Sequence, residues 1–338
     1  MTIRKAGHTV RTVCRLAIAG ALTLALSAGA VLTTTGSASA SKIHAIGVVT
    51  PPAPPDRLEP ASFREVHAYL YPDSTGRAGG YVSCPQGMKA VTGGATAAAP
   101  NAGLLTGLTP TYDGNGWYAS AVLPLWAPDT GVLDLEVICA WPEQLSSVAT
   151  LTRTVQAQYD SSIHTTHYRD FRGCPDGKAL FGGGAFTTQD GVIVNAPSGG
   201  SGPFLNAMAP LGSFWVNGSA KADSPTTGVA MESYLRCIDP FQLGTSVSAT
   251  ASGPSRTDGV QTTVTAFCPS GHTAYTGGAY WTDGHGSLRI SHISFNRTAW
   301  TAQGKGNNGA SLQVEVRCIR TDQVATPPVI ATLNSVPR

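Results

Sequence analysis

Charged residues are scarce in this chain of 338 residues: they make up 12% of the sequence, about half the usual share. The formal net charge is +2, but four of the 22 basic residues lie in an N-terminal segment that has no acidic residue. Without those four, the chain has 18 basic and 20 acidic residues. A nucleic-acid-binding protein needs a basic face to neutralise phosphates. The composition therefore excludes nucleic acid as a partner.

Catalytic and phosphate-binding motifs are also missing. The sequence contains no H-E-x-x-H, no G-x-S-x-G, no P-loop and no C-x-x-C, which are motifs typical of zinc peptidases, serine hydrolases, nucleotide-binding proteins and thiol or metal sites. Helical periodicity is nearly absent as well. We therefore predict a protein that is not an enzyme, with no metal site and no cofactor. Hydrophobic residues reach 42%, which is enough for a buried core and argues against disorder.

Residues 1–40 have the pattern of a secretion signal. Basic residues, Arg4 to Arg15, precede an apolar stretch over residues 16–32, and Ala38-Ser39-Ala40 provides the small residues of a cleavage site. An uncleaved membrane anchor is the alternative, but a stretch of about 17 residues is short for a span. We predict cleavage after Ala40, a secreted protein with no membrane span after cleavage, and a stiff Pro-rich linker over residues 41–61.

The rest of the chain repeats one unit three times. Each copy begins with C-P-x-G-x5-G-G-A, and continues with a turn, a tryptophan, a second turn and a strand-like run that ends on a second cysteine. The copies start at Cys84, Cys174 and Cys268, and their glycine pairs are residues 93–94, 183–184 and 277–278. We assign the repeats to residues 62–152, 153–251 and 252–338.

The strand-like runs predict an all-β fold. In the first repeat Leu133, Leu135 and Val137 alternate with Asp134 and Glu136, and this period of two places one face in a core and the other in solvent. Most other runs are short, rich in Val, Thr and aromatic residues, and separated by turn residues. We predict three pseudo-symmetric antiparallel β units.

Six cysteines remain after the predicted cleavage, two in each repeat. An even number in an exported chain indicates disulfides. Since identical units should form identical bonds, we predict the pairs Cys84–Cys139, Cys174–Cys237 and Cys268–Cys318. A thiol or metal site is the alternative, but no histidine recurs beside these cysteines.

The repeat resembles that of secreted actinobacterial proteins, mostly uncharacterised, which carry the same Cys-Pro-x-Gly, Gly-Gly-Ala, Trp and Cys sequence. The resemblance covers about residues 63–338. A looser similarity is to the three-fold β-prism of vitelline membrane outer layer proteins, which also repeat a Cys-Pro-x-Gly start three times. It implies an extracellular protein with three sheets around a pseudo-three-fold axis, and such prisms often bind carbohydrate. The alternative architecture is a tandem of small β-sandwiches, each with its own core.

The recurring tryptophans are the predicted binding residues: Trp117, Trp215 and Trp300. Aromatic rings stack on sugar rings, but they also fill protein cores. A three-fold set on a surface would give multivalent binding to a polymer. The alternative is that each tryptophan packs against the disulfide and the glycine pair of its own repeat.

Several ionisable residues were weighed as sites. His164 and His167 have a metal-ligand spacing, but the local pattern is that of a strand, which favours exposed side chains. Asp283, His285 and His292 lie near one turn of the third repeat, where either a site or ordinary loop variation would explain them.

Glutamates near the closing cysteines could form a three-fold carboxylate set: Glu136, Glu232 and Glu315. Glu136 and Glu315 each lie three residues before the closing cysteine, between apolar neighbours of an alternating strand. This pattern predicts that they point to solvent.

We therefore expect a secreted, non-enzymatic β-repeat protein that binds a surface glycan or another cell-envelope polymer. The first alternative is a structural or interaction protein of the cell surface, and the second is a secreted hydrolase.

Overall fold

The structure is a computed structural model. It describes residues 58–98, 103–124, 131–160, 165–189, 192–193, 204–222, 229–258, 260–294, 296–321 and 330–333. The predicted signal peptide and residues 41–57 of the predicted linker lie outside the described residues. No helix within these ranges is long and apolar enough to cross a membrane.

Strands make up nearly all of the described secondary structure. The first repeat contains β1 (Arg64–Leu70), β2 (Arg77–Ser83), β3 (Lys89–Ala98), β4 (Leu104–Pro110), β5 (Gly116–Val122) and β6 (Val132–Ala140). The second contains β7 (Ala149–Gln156), β8 (Gln158–Asp160), β9 (Thr165–Gly173), β10 (Ala179–Gln189), β11 (Val192–Ile193), β12 (Phe204–Leu211), β13 (Phe214–Ala222) and β14 (Val229–Ile238). The third contains β15 (Ser246–Pro254), β16 (Thr262–Phe267), β17 (His272–Trp281), β18 (Ser287–Ile293), β19 (Ala299–Lys305), β20 (Ser311–Arg320) and β21 (Ile330–Leu333). β7 and β15 cross the predicted repeat boundaries, and each is grouped with the repeat whose closing strand it pairs with, β14 and β20. Short helical turns are α1 (Pro240–Leu243) and two 3₁₀ turns, Pro60–Ser62 and Pro142–Leu145.

The Cys-Pro-x-Gly segments form the turn that leads into the glycine-pair strand of each repeat. Gly87, Gly177 and Gly271 have φ of 82°, 82° and 75°. Glycine adopts this left-handed region without the steric cost that a Cβ atom brings. The repeated glycine is therefore explained by backbone geometry.

The strands form three sheets, and each sheet takes strands from two repeats. Sheet A has the order β16-β19-β18-β3-β6-β1-β21, and sheet C has the order β15-β20-β17-β12-β13-β9-β8. Sheet B has the order β2-β5-β4-β10-β14-β7, with β11 beside β10. All pairings are antiparallel except that of β1 with β21. Among the described residues no repeat has a sheet of its own, so the β-prism-like arrangement describes this fold and tandem sandwiches with separate cores do not.

In each sheet, one strand pair joins the two repeats, and we call this line the seam. The seams are β3–β18 in sheet A, β4–β10 in sheet B and β12–β17 in sheet C. The pairing of repeats is cyclic. The first repeat pairs with the third in sheet A and with the second in sheet B, and the second pairs with the third in sheet C. The seam of sheet A is the one at which the first and last repeats meet.

The three disulfides are confirmed with the predicted pairing, Cys84–Cys139, Cys174–Cys237 and Cys268–Cys318. The first cysteine of each pair directly follows a strand of one sheet (β2, β9 or β16). The second cysteine lies in a strand of another sheet (β6, β14 or β20). The bonds therefore link sheet B to A, C to B, and A to C. The strands of each repeat are divided between two sheets, and the disulfide of that repeat connects the two parts.

The repeats also share hydrophobic core. Residues at the β-bulge before each glycine pair, Val91, Phe181 and Tyr275, belong to one buried cluster drawn from all three repeats. The rings of Phe181 and Tyr275 stack with their centroids 6.0 Å apart. Arg236 lies over the Phe181 ring and donates hydrogen bonds of 2.8 Å to the carbonyls of Val91 and Ala90. A buried arginine that is bonded to another repeat's backbone shows that the repeats fold on each other.

The last residues of the predicted linker belong to this fold. Leu58 and Pro60 are buried, and the Leu58 amide donates to the carbonyl of Gln242. Arg297 donates to the carbonyl of Pro60 at 3.1 Å. The C-terminal end of the predicted linker, from Leu58, therefore packs on the repeats, and its apolar residues extend the core.

Candidate functional site

The three repeated tryptophans are core residues. Trp117, Trp215 and Trp300 are only 1%, 2% and 0% exposed, and each belongs to the same buried cluster as the closing cysteine of its repeat. A sugar ring stacks on an exposed aromatic face, and these rings offer none. The structure therefore favours the packing alternative over the predicted binding role.

The first glycine of each pair packs directly against the tryptophan ring of its repeat. A Cβ atom added at Gly93 would lie less than 3.0 Å from the Trp117 ring, and the equivalent glycines contact Trp215 and Trp300 in the same way. Such a distance requires displacement of a buried ring, which a close-packed core resists. The glycine and the tryptophan thus repeat together because they are one contact.

The second glycine of each pair marks the seam. A Cβ atom at Gly94, Gly184 or Gly278 would lie less than 3.0 Å from backbone atoms of another repeat, namely those of residues 292, 108–109 and 208–209. Here the strand of one repeat lies directly against a strand of its neighbour. The repeated Gly-Gly motif therefore combines packing within a repeat and packing between repeats.

The side chains on the outer face at the three seams differ, although their backbone positions correspond. The position that pairs with the second glycine is Glu136 in sheet A, Tyr234 in sheet B and Glu315 in sheet C. The next strand outward carries His67, Thr152 and Thr250 at the corresponding position. The same framework therefore presents three different chemical surfaces.

Sheet B carries a row of aromatic side chains on its outer face. Tyr81 on β2 pairs directly with Tyr118 on β5. Phe186 on β10 lies 6.2 Å from the Tyr118 ring and 5.8 Å from the Tyr234 ring, between centroids. Tyr81 is 69% exposed, and the other three rings are half-buried. We call Tyr81, Tyr118, Phe186 and Tyr234 the aromatic face.

The phenols of Tyr118 and Tyr234 stay protonated at neutral pH. Burial raises the pKa of Tyr118 and of Tyr234 above the ordinary value of 10.0, and the charge of Glu232 raises the pKa of Tyr234 further. A neutral phenol can both donate and accept a hydrogen bond. The aromatic face therefore combines apolar rings with hydroxyl groups suited to a neutral polar ligand.

The outer face of sheet C at its seam is more apolar than that of sheet A, and its buried glutamate is paired with an arginine. Phe171, Val216 and Tyr280 line a shallow cavity on its outer face together with Arg169. Glu315 is buried beside this surface and forms an ion pair of 2.9 Å with Arg317. The carboxylate is compensated within its own strand, so this seam offers no free acidic group.

Sheet A gathers ionisable groups into a cavity at its seam. The imidazole of His67 lies 2.8 Å (Nε2) from Glu65 Oε1 and 3.1 Å (Nδ1) from Asp134 Oδ1. Glu136 accepts a hydrogen bond of 2.8 Å from the Ile293 amide, and its other oxygen lies 3.9 Å from Nδ1 of His292. All of these side chains line the cavity. We call Glu65, His67 and Glu136, with Asp134 and His292 beside them, the acidic cavity.

Burial and mutual charge shift the pKa values in the acidic cavity. Burial raises the pKa of Glu136 to about 8, with a further increase from the charge of Glu65. Hydrogen bonds to Asp134 and Glu65 raise the pKa of His67 to about 10. Burial lowers the pKa of His292 below its ordinary value of 6.5. Perturbed groups in a cavity of this kind are typical of functional sites, although structural networks also produce them.

Two predicted exposures were wrong. Glu136 and Glu315 are 5% and 6% exposed, whereas their alternating strands predict solvent-facing side chains. The outer face at these positions is covered by the neighbouring repeat: the Ile293 amide of β18 contacts Glu136. Glu232, the third glutamate of the set, is half-buried and accepts a hydrogen bond from Thr154, so the three glutamates do not meet.

The histidines are grouped differently from the prediction. His292 lies at the acidic cavity. Asp283 accepts a hydrogen bond from the His285 amide, and the centroid of the His285 ring lies 4.6 Å from that of the His167 ring. Asp283, His285 and His292 therefore do not form one cluster. His167 is buried, not exposed as expected, because the β17–β18 loop of the third repeat covers it. His164 lies outside the described residues.

Glu65, His67 and Asp134 are site residues that were not predicted from the sequence. A signal was present: Glu65 and His67, like Asp134 and Glu136, are two residues apart on a strand, which places each pair on one face. The missing information was that β1 and β6 are neighbours, with His67 directly opposite Glu136.

Comparison with known proteins gives no assignment. No protein family matches this sequence, and no curated protein matches it. The candidate functional surfaces of this protein are therefore the aromatic face of sheet B and the acidic cavity of sheet A.

Proposed function

We propose that the protein is secreted and binds a glycan of the cell surface or envelope through the aromatic face of sheet B, without catalysing a reaction. The observation that carries this proposal is the row of four aromatic rings that crosses the seam between the first and second repeats. The ring centroids of Tyr118 and Phe186 are 6.2 Å apart, and those of Phe186 and Tyr234 are 5.8 Å apart. A row of rings offers successive stacking surfaces to an extended polymer.

The surroundings of the aromatic face support a neutral ligand. Thr152 and Thr154 are exposed on β7 beside Tyr234, and Glu232 is the acidic group nearest to them on β14. The whole chain has few charges, which gives a strongly anionic polymer little electrostatic attraction. Hydroxyl groups next to exposed rings suit the alternating polar and apolar faces of sugars.

Three disulfides support the extracellular part of the proposal. Disulfides persist in oxidising compartments and are rare in the cytosol. The N-terminal pattern of residues 1–40 adds an export signal to this argument. Detection of the mature protein beginning at Ser41 in the culture medium or on the cell surface would test it directly.

Binding to insoluble polysaccharides tests the glycan proposal. We expect purified protein to be depleted from solution by at least one of chitin, cellulose and peptidoglycan. Tyr81→Ala should weaken that binding about threefold to tenfold, since one aromatic contact contributes about 0.5–1.5 kcal/mol. Phe267→Ala is the matched control, because Phe267 is 66% exposed on β16 of sheet A, away from the aromatic face. Absence of binding to every polysaccharide, or equal losses in both variants, would contradict the proposal.

The acidic cavity favours a second candidate, a secreted hydrolase. Such an enzyme needs ionisable residues that converge in one pocket, and Glu65, His67 and Glu136 do so. Release of reducing sugars or peptides by the wild type, abolished in Glu136→Gln, would establish this activity in place of simple binding. The structural-protein alternative stays a prediction, with no observation that favours it over these two.

A further inference from the structure

The acidic cavity contains a set of side chains with the spacing of metal ligands. Glu65, His67 and Glu136 each offer one ligand atom, and these atoms all lie within 4.8 Å of one another. Imidazole nitrogen and carboxylate oxygen together are ligands that Zn²⁺ accepts, with a fourth position filled by water or another side chain. We propose that these three residues bind one divalent transition-metal ion, with Zn²⁺ as the expected metal.

A second observation points to a bound cation. Glu65 is 1% exposed, and its Oε2 atom is buried without a hydrogen-bond partner among the described residues. A buried carboxylate oxygen without a partner is costly. Glu136 lies beside it, with its ligand oxygen within 4.8 Å of that of Glu65. A divalent cation between the two carboxyl groups would satisfy the free oxygen of Glu65.

The groups around the three ligands are arranged to orient them. Asp134 Oδ1 lies 3.1 Å from Nδ1 of His67, so this carboxylate can hold a proton on Nδ1, and a metal at Nε2 would replace the proton that Nε2 shares with Glu65 Oε1. This carboxylate–histidine pair is the usual support of a metal-bound imidazole. The Ile293 amide holds Glu136 Oε1 in place, and Gly94 leaves the space that this oxygen occupies. Nδ1 of His292 lies 3.9 Å from Oε2 of Glu136, at the edge of this set.

The other two seams provide an internal comparison. The positions that correspond to Glu65, His67 and Glu136 are Thr150, Thr152 and Tyr234 in sheet B. In sheet C they are Ser248, Thr250 and Glu315. Neither set can form a comparable metal site. The ligands therefore occur together only at the seam where the first and last repeats meet, and a metal there would strengthen that closure.

Titration with zinc tests the site. Untagged protein, freed of metal with a chelator, should bind one equivalent of Zn²⁺ in calorimetry. Ca²⁺ and Mg²⁺ should bind more weakly, because they prefer larger sets of oxygen ligands. At a free zinc concentration about 100-fold above the dissociation constant, the melting temperature should rise by roughly 5 °C. His67→Ala should remove the calorimetric signal, and Asp134→Asn should weaken zinc binding about 10- to 100-fold.

Two variants serve as controls. Glu315→Gln changes the buried glutamate at the corresponding position of sheet C and should leave zinc binding unchanged. His285→Ala removes one ring of the other histidine pair, and it should also bind zinc as the wild type does. If His67→Ala fails to fold, Asp134→Asn provides the test, because Asp134 is partly exposed. No zinc binding by the wild type, or binding that is lost in His285→Ala but kept in Asp134→Asn, would overturn the proposal.

Discussion

The outer faces of sheets A and B are built on the same backbone and differ in almost every side chain. Where sheet B has Tyr81 beside Tyr118, sheet A has Thr265 beside Thr301. Where sheet A has Glu136, sheet B has Tyr234. One face is a row of rings, and the other is a cavity of carboxylates and histidines.

The inner faces of the same sheets are closely similar. The first glycine of each pair, the tryptophan and the closing cysteine occupy equivalent buried positions in all three repeats. Close packing restricts which residues fit at these positions, because each one contacts a neighbour that is also the same in every repeat. The comparison teaches that the repeated motif specifies the framework, whereas function is to be sought among the residues that do not repeat.

The largest expected effect separates the two roles considered for the tryptophans. Trp117→Ala, Trp215→Ala and Trp300→Ala should each destabilise the protein by about 3–5 kcal/mol, because each leaves a cavity in the core. Urea unfolding followed by fluorescence measures this. Trp141→Ala is the control, since Trp141 is partly exposed, and it should cost less. A stable Trp117→Ala variant that had lost glycan binding would restore the binding role.

A smaller effect tests whether the seams of sheets A and B are equivalent in backbone geometry. Gly94→Ala and Gly184→Ala should each cost about 1–3 kcal/mol, since the added methyl group overpacks the contact between repeats. The loss should be similar at both seams despite their different outer residues. Gly114→Ala is the control: its φ of 68° is unfavourable for alanine, but nothing lies within 4 Å of the added atom. A large difference between Gly94→Ala and Gly184→Ala would show that the seams are not equivalent.

The smallest expected effect concerns the independence of the two outer faces. His67→Thr gives sheet A the residue that sheet B has at that position, and Tyr81→Thr does the reverse. His67→Thr should weaken zinc binding at least about tenfold, or about 1.4 kcal/mol, while changing polysaccharide binding little. Tyr81→Thr should show the opposite pattern. Parallel losses of both activities in either variant would mean that the faces form one site.

Much of the framework could be predicted from the sequence. The disulfides followed from six cysteines in three identical units, and the turn glycines followed from the Cys-Pro-x-Gly motif. Alternation along residues 133–137 correctly predicted a strand with Leu133, Leu135 and Val137 in the core. These features depend on contacts within one repeat, which a repeated sequence displays directly.

The candidate sites depend on contacts between repeats, which the sequence does not display. Glu136 was predicted to face solvent because alternation gives the face of a strand, but not what covers it. The residue that covers it, Ile293, is 157 positions away in the chain. The aromatic face likewise combines Tyr81 and Tyr118 of the first repeat with Phe186 and Tyr234 of the second. Only the order of strands in the sheets brings these residues together.

The pairing of β1 with β21 has a consequence for how the chain could be rewired. Glu65 lies beside Ile330 in a parallel register, so the first and last strands of the described fold are neighbours at one edge of sheet A. A chain whose ends are close together tolerates circular permutation when the new ends fall in exposed loops. A variant limited to residues 58–333, with residue 333 joined to residue 58 by a short linker and the chain opened in the exposed turn at Asn307–Gly309 between β19 and β20, should keep the same cyclic arrangement of three repeats.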